Sequence, residues 1–343
     1  MDGNKRKLKY FLLTLLISAT GLSGCATEES FISTPSMLTP GGIIAGQIAG
    51  LSWFMIILGG LVFLGVMAYL SFAIWGNRGN ELEEELARPN EGSGIVLTWG
   101  VGFTAVVLFV LFGLNLWTMR ANNLTAGEGE GLVIDVIGRQ WWWEVQYPQQ
   151  GFETANEIRI PVGQPVTIRL TTKDVIHSLW IPELNGKIDL VPNKVNTLIL
   201  QADDVGQYWG ECAEFCGTQH AKMKIMVVAQ TEAEFAAWLE QQQSIPAPPE
   251  DKLAIEGQQV FLGSACVYCH TVEGTNASGD LGPDLTHLGS RRTLGAGILE
   301  YSLGNVGLWV LDSHEYKPGN LMPPMDLTEE ELAQLLAYLG TLE

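Results

Sequence analysis

Cys212-Ala213-Glu214-Phe215-Cys216-Gly217-Thr218-Gln219-His220-Ala221-Lys222-Met223 is the stretch on which the reading of this 343-residue chain turns. Two thiols, an imidazole and a thioether fall on one short loop. Thiolate and imidazole with a weak thioether form the donor set of copper electron-transfer sites. One cysteine suffices for a single copper. Two, four residues apart, can place both sulfurs between two metal ions. Each ion then needs a nitrogen. His220 supplies one, and His177, in Asp174-Val175-Ile176-His177-Ser178-Leu179-Trp180, is the other histidine of the region. A Cys212–Cys216 disulfide leaves the spacing of His220 and Met223 unexplained, and a structural zinc site does not need the methionine. A copper chaperone with a CxxxC motif competes with the dicopper reading. It requires neither membrane helices nor a second redox motif.

The residues around this loop read as all-β. Leu132-Val133-Ile134-Asp135-Val136-Ile137 and residues 165–171, 196–200 and 224–228 are strand-like, with Gly, Pro and Asn between them. Short strands with regular turn signals predict a sandwich or barrel. A short helical pattern over 235–243 follows. Ile245-Pro246-Ala247-Pro248-Pro249 breaks it, so residues 241–250 read as a semi-rigid spacer.

Beyond the spacer, residues 251–343 have the size of a separate domain. Its signature, Cys266-Val267-Tyr268-Cys269-His270, is a c-type haem attachment motif. Two thiols add to the haem vinyls and the adjacent imidazole reaches the iron. Glu256-Gly257-Gln258-Gln259-Val260-Phe261 can form a helix leading into the motif. A closing helix begins with a capping box, Thr328 to Glu331, and buries Leu332, Leu335, Leu336 and Leu339.

The N-terminal third is membrane-like. Lys5, Arg6, Lys7 and Lys9 precede an apolar stretch, residues 10–22, too short to span a bilayer. Leu22-Ser23-Gly24-Cys25 then resembles a bacterial lipobox, which implies that residues 1–24 are a signal peptide and Cys25 is lipidated. Residues 43–75 and 94–119 are apolar and long enough to span, with Trp53, Trp75, Trp99 and Trp117 near plausible interfaces. Arg78 and Arg88 make the loop between them the cytoplasmic side, with Glu81, Glu83, Glu84 and Glu85 in a solvated hairpin. Everything after Arg120 then lies outside.

Charge agrees with an outer-face protein and excludes a nucleic-acid binder. The chain has 38 acidic and 19 basic side chains, a formal −19. Phosphate backbones need a basic footprint. Loss of residues 1–24 leaves 37 acidic and 15 basic side chains, a formal −22. Such a surface attracts a basic donor. Five cysteines are too few for a disulfide scaffold. One suits lipid, two copper and two haem.

The CxExCxxxHxxM loop, the upstream DVIHSLWIP and Gly138-Arg139-Gln140-Trp141-Trp142-Trp143 together resemble cytochrome c oxidase subunit II, over about residues 40–235. Gly282-Pro283-Asp284-Leu285 resembles the loop that packs on the proximal histidine of class I cytochromes c. Lys317-Pro318-Gly319-Asn320-Leu321-Met322-Pro323-Pro324-Met325 resembles the loop that carries the distal methionine. The order of parts is similar to caa-type bacterial oxidases, whose subunit II carries a fused cytochrome c.

The resemblance implies a multidomain membrane protein. Its parts are a two-helix transmembrane hairpin (within 25–120), an all-β cupredoxin Greek-key barrel (121–240) and an all-α class I cytochrome c domain (251–343). It implies a dinuclear CuA centre held by His177, Cys212, Cys216, His220, Met223 and the main-chain carbonyl of Glu214. The Glu214 carboxylate would face a magnesium shared with subunit I. Trp141 would be the residue through which electrons enter, and Lys187 and Asp189 would lie near a proton-exit and water region. Haem c would be held by Cys266, Cys269, His270 and Met322, with Met325 the alternative axial ligand. Arg291 and Arg292 would meet the haem propionates or lie on the surface. His287 and His314 are read as exposed or hydrogen-bonded rather than as ligands.

The function so implied is electron input to a terminal haem–copper oxidase of the bacterial plasma membrane. Electrons would pass from a soluble cytochrome or a quinol-oxidising complex through haem c and CuA to subunit I. There oxygen would be reduced to water with proton pumping, with subunit III a further partner. A CuA subunit of a nitric oxide reductase and a free-standing copper and haem carrier lipoprotein are the alternatives.

Overall fold

A computed structural model describes residues 35–75, 94, 96–124 and 131–343. Residues 1–24, expected to be a signal peptide, Cys25, and the loop with Arg78, Arg88 and its glutamates lie outside the described residues. Two helices are long and apolar enough to cross a membrane: α1, Ile43–Trp75, and α2, Phe103–Leu124, entered through a π-helical turn over Val96–Gly102. At 1.5 Å per residue, α1 reaches about 50 Å, well beyond a hydrocarbon core of about 30 Å. The surplus is used at its foot. Ile44, Ala45 and Ala49 are buried, and Gly41 donates to the Glu183 carbonyl (2.7 Å) while its own carbonyl accepts from Asp203 N (2.8 Å). The first turns of α1 are thereby fixed to the β-domain.

That domain has ten strands. They are β1 Val133–Arg139, β2 Trp142–Tyr147, β3 Phe152–Ala155, β4 Glu157–Pro161, β5 Val166–Thr172, β6 His177–Trp180, β7 Ile188–Leu190, β8 Asn196–Leu200, β9 Gly206–Cys212 and β10 Lys224–Gln230. They form two five-stranded sheets, β3-β2-β1-β5-β8 and β4-β10-β9-β6-β7, with parallel pairs β1·β5 and β4·β10 and antiparallel neighbours elsewhere. The Greek-key barrel expected from the sequence is built as these two sheets around one core. Strand β5 shows why: Val166, Ile168 and Leu170 point inward and Arg169 outward, the period of two that a half-buried strand requires. Helix α3, Glu232–Gln242, is capped by Thr231 and Glu234 and lays Phe235 and Trp238 on the same core.

The C-terminal domain is helical. Its helices are α4 Lys252–Gly263, α5 Leu303–Tyr316 and α6 Glu329–Leu339. A 3-10 turn, Ala265–Tyr268, carries the first part of the CxxCH motif, and Cys269 and His270 follow it directly. Phe261, Val306, Val310, Leu335, Tyr338 and Leu339 form its core. The Thr328–Glu331 capping box is present, and Leu335 and Leu339 are fully buried, whereas Leu332 and Leu336 are only half-buried.

Strand β4 breaks the alternation rule. Ile158 and Ile160 face the core, yet outward-facing Glu157 and Arg159 are buried too. The C-terminal domain covers them. Glu157 Oε1 accepts from the main-chain N–H of Arg292 (2.6 Å) and Thr293 (2.9 Å), and Arg159 Nη2 donates to the Ser290 carbonyl (2.6 Å). Gln242 Nε2 reaches Ser290 Oγ (3.1 Å), His287 Nε2 donates to the Gln241 carbonyl (2.9 Å), and Lys224 N donates to the Ala296 carbonyl (3.0 Å). The proline run therefore does not act as a loose tether. The two redox-motif domains share a packed, hydrogen-bonded seam.

Candidate functional site

Loop 212–223 joins β9 to β10, and its base is closed by Cys212 N donating to the Met223 carbonyl (3.0 Å). Strand β6 pairs with β9 at Leu179 and Cys212, which brings His177 across from a segment far back in the chain. The donor atoms converge. Cys212 Sγ lies 3.8 Å from His177 Nδ1 and 3.8 Å from Cys216 Sγ. Cys216 Sγ lies 3.8 Å from His220 Nδ1 and 3.9 Å from Met223 Sδ. The Glu214 carbonyl is 3.2 Å from Cys212 Sγ. The two sulfurs are free thiols, so no disulfide competes for them. His177, both cysteines and Met223 are buried, His220 is half-buried, and the Glu214 side chain is exposed.

The electrostatics suit cations. The hydrogen bond from Cys216 pulls the Cys212 thiol well below its ordinary pKa, against the opposing effect of burial. That thiolate, with burial, pushes Cys216 up, and a bound cation would favour release of the second proton. Burial works against a charged His177 ring. Its hydrogen bonds to Asp174 and Cys212 outweigh burial and raise it. The Nε2–H of His177 donates to Asp174 Oδ1 (2.8 Å), which leaves Nδ1 directed at Cys212, the outer-shell arrangement expected behind a metal-binding imidazole. The ring has room only because residue 138 is glycine: a Cβ there would stand 2.7 Å from His177 Cδ2.

The second motif surrounds a cavity of about 480 Å³ lined by Cys266, Cys269, His270, Met322 and Met325. His270 Nδ1–H donates to the Pro283 carbonyl (2.7 Å), which fixes the tautomer and frees Nε2. Burial lowers the ring's pKa, so the neutral, ligating form prevails. Gly282 packs on this ring, where a Cβ would stand 2.6 Å from Cε1. Arg291 Nε and Thr293 Oγ1, both on residues lining the cavity, are buried and lack a hydrogen-bond partner among the described residues. Unsatisfied buried donors beside two thiols and an imidazole fit a large planar group that carries carboxylates, such as haem.

Arg291 is thus buried at the cavity wall rather than on the surface, while Arg292 is exposed. His287 and His314 are hydrogen-bonded, the latter to the Met322 carbonyl (3.1 Å). Lys187 and Asp189 are both exposed at β7. Met322 and Met325 both line the cavity.

Sequence reading missed the far wall of this cavity. Gln140, Trp141, Trp142 and Asn156 of the β-domain close it. Trp141 faces both ways: it lines the cavity, and its indole N–H donates to the Cys216 carbonyl (2.9 Å), as does Gln140 Nε2 (2.8 Å). The one available signal was the quoted GRQWWW run, whose aromatics read equally well as core.

Comparison with known proteins agrees with this arrangement. The family profile of the cytochrome c oxidase subunit II periplasmic domain matches residues 149–230, and that of cytochrome c matches residues 254–343. Cytochrome c oxidase subunit 2 of Alkalihalophilus pseudofirmus is 34% identical over 94% of this chain and 94% of its own length. The protein of that name from Bacillus subtilis is 29% identical over 98% and 99%. The solved periplasmic domain of subunit II from Bradyrhizobium japonicum aligns at 32% identity and TM-score 0.32, covering 33% of this chain and 93% of that one. With two thiols and two imidazoles gathered on a cupredoxin-like sandwich, a CxxCH pocket against it and a 34% identical relative over 94% of its length, the chain belongs to the cytochrome c oxidase subunit II family, as a member with a cytochrome c domain.

Proposed function

We propose that this chain takes electrons from an external donor into its cytochrome c domain and delivers them from its cupredoxin domain to subunit I of a haem–copper oxidase. Its similarity to cytochrome c oxidase subunit 2 proteins supports assembly with such an oxidase. A dinuclear CuA centre and a covalent haem c would supply the one-electron chemistry when bound. His177, Cys212, Cys216, His220, Met223 and the Glu214 carbonyl are the residues to hold the coppers. Cys266 and Cys269 would attach the haem covalently, and His270 and Met322, with Met325 the alternative, would hold its iron. A histidine–methionine pair raises a haem's potential.

The chain's own contribution is rigidity and insulation. Donors anchored on β6, at the end of β9 and in the loop before β10, most of them buried from water, stay in place when charge changes, so little reorganisation opposes transfer. The exposed Glu214 side chain is available to a magnesium shared with subunit I. Both redox domains lie on the outer face of the bacterial plasma membrane, with lipidated Cys25, and the acidic surface favours a basic donor. Oxygen reduction and proton pumping are assigned to subunit I, with subunit III alongside.

The observation that carries this reading is Trp141, which spans from the haem-sized cavity to the Cys216 carbonyl. The deciding experiment is purification of the full chain in mild detergent with metal, haem and electron-spin analysis. One covalent haem and two coppers sharing one unpaired electron are expected. Absence of either signal refutes the assignment, and turnover of nitric oxide in place of oxygen would reassign the complex.

A further inference from the structure

Three consecutive residues of the C-terminal domain reach the β-domain beside the copper loop. Tyr316 offers its carbonyl to Lys222 Nζ (2.6 Å), and Pro318 offers its carbonyl to Gln219 Nε2. Between them, Lys317 Nζ donates to the Trp141 carbonyl (2.6 Å) and to the Gly295 carbonyl (3.1 Å). Lys317 is only 3% exposed, and no carboxylate pairs with it among the described residues. An ammonium buried among carbonyls is costly, and an apolar side chain of similar length would fill the space without that cost. Consistent with this, burial lowers its pKa to about 7. What the ammonium gains for the molecule is one hydrogen bond across the seam, to Trp141, and one within its own domain, to Gly295.

Their placement gives them a use. Trp141 is held at both ends: its main-chain carbonyl by Lys317, its indole by the Cys216 carbonyl. Lys317 itself begins the loop that leads to Met322, whose carbonyl is fixed in turn by Ser313 Oγ (3.1 Å) and His314 Nε2 (3.1 Å). A continuous hydrogen-bonded bridge therefore runs from the methionine loop through Lys317 and Trp141 to Cys216. We infer that Lys317 is a positioning residue for electron transfer between the two domains, fixing Trp141 between the haem cavity and the copper loop. The inference rests on the haem and copper assignment above.

The test uses the intact oxidase complex, with the haem photoreduced by a flash and both centres followed optically. Lys317→Met is expected to slow internal transfer about tenfold, since small misplacements cost one to two decades in rate. Both spectra and both midpoint potentials are expected to stay unchanged, and amide exchange at residues 140–143 to quicken. An unchanged rate overturns the inference. A slower rate that comes with lost haem, or with loss of the thioether–iron band, also overturns it, because Lys317 would then serve the haem or its own loop. If Lys317→Met does not accumulate, Lys317→Gln, whose shorter amide cannot span to Trp141, is read by the same criteria. A wild-type complex lacking either metal signal would instead sink the functional reading itself.

Discussion

The copper loop and the haem pocket solve different problems, although both begin from two cysteines and a histidine. The copper donors come from β6, the end of β9 and the turn before β10, and they converge within 3.9 Å of a neighbouring sulfur through side chains and the Glu214 carbonyl. The haem motif begins on a 3-10 turn, and its partners ring a cavity of about 480 Å³. Ions need a few aimed atoms; a large planar group needs walls. The helical domain does not supply all of these, and Gln140, Trp141, Trp142 and Asn156 of the β-domain close the far side. The copper site belongs to one domain, whereas the haem site is completed by two.

That contrast can be broken deliberately. The largest effect is expected from Cys216→Ala, which removes a thiolate central to the donor set. Copper content and its absorption should vanish while covalent haem stays at one per chain, as metal analysis and a haem spectrum will show. A parallel loss of haem would mean that the two sites are built together. Next comes the seam. Glu157→Ala leaves the buried Thr293 N–H without an acceptor, at about 1–3 kcal/mol, and also frees the part-buried Arg292 N–H. Haem-domain undocking should follow, seen as quickened hydrogen exchange at 290–296 with copper retained.

The same carboxylate gives the seam a pH dependence. Burial outweighs the attraction of Arg159 and the two N–H bonds and raises the Glu157 pKa. The docked state therefore keeps the proton to higher pH than the undocked state. Docking is strongest below the ordinary carboxylate range and weakens as pH rises through the raised value. Glu157→Gln should flatten that dependence; a profile identical to wild type would assign it to other groups.

Smaller effects sharpen the comparison of the two histidines. Gly138→Ala and Gly282→Ala each force a Cβ to within 2.7 Å of an imidazole, His177 in the first case and His270 in the second. Overpacking of this kind costs about 1–3 kcal/mol. The first should shift the copper spectrum and the second the haem spectrum, each without touching the other. Smallest is Thr328→Ala, which removes the cap of α6 and should lower the stability of the haem domain by about 1 kcal/mol, measured by chemical unfolding.

Legibility followed range. The copper loop, CxxCH and the Thr328 capping box could be read directly because each is a local pattern whose chemistry needs its residues a fixed few positions apart. The four strands read in the sequence all belong to longer or strongly β-branched segments. Strands β6 and β7 were missed because three or four residues are too few to show a period. Strand β4 carries a buried Glu and Arg that read as surface. Helix α5 went unread: its glycines and its non-helical Asp312 blur the periodicity.

The sequence by itself determined the donor chemistry, the apolar helices and the order of parts, since side-chain type and spacing are properties of the chain. Only the tertiary structure decided that the proline-linked domains are docked, that Glu157 and Arg291 are buried and that Trp141 stands between the two sites. The contacts responsible join residues 135 apart at Glu157 and 176 apart at Lys317. Such pairings leave no local pattern, because they arise from two finished surfaces meeting rather than from the propensity of any one segment.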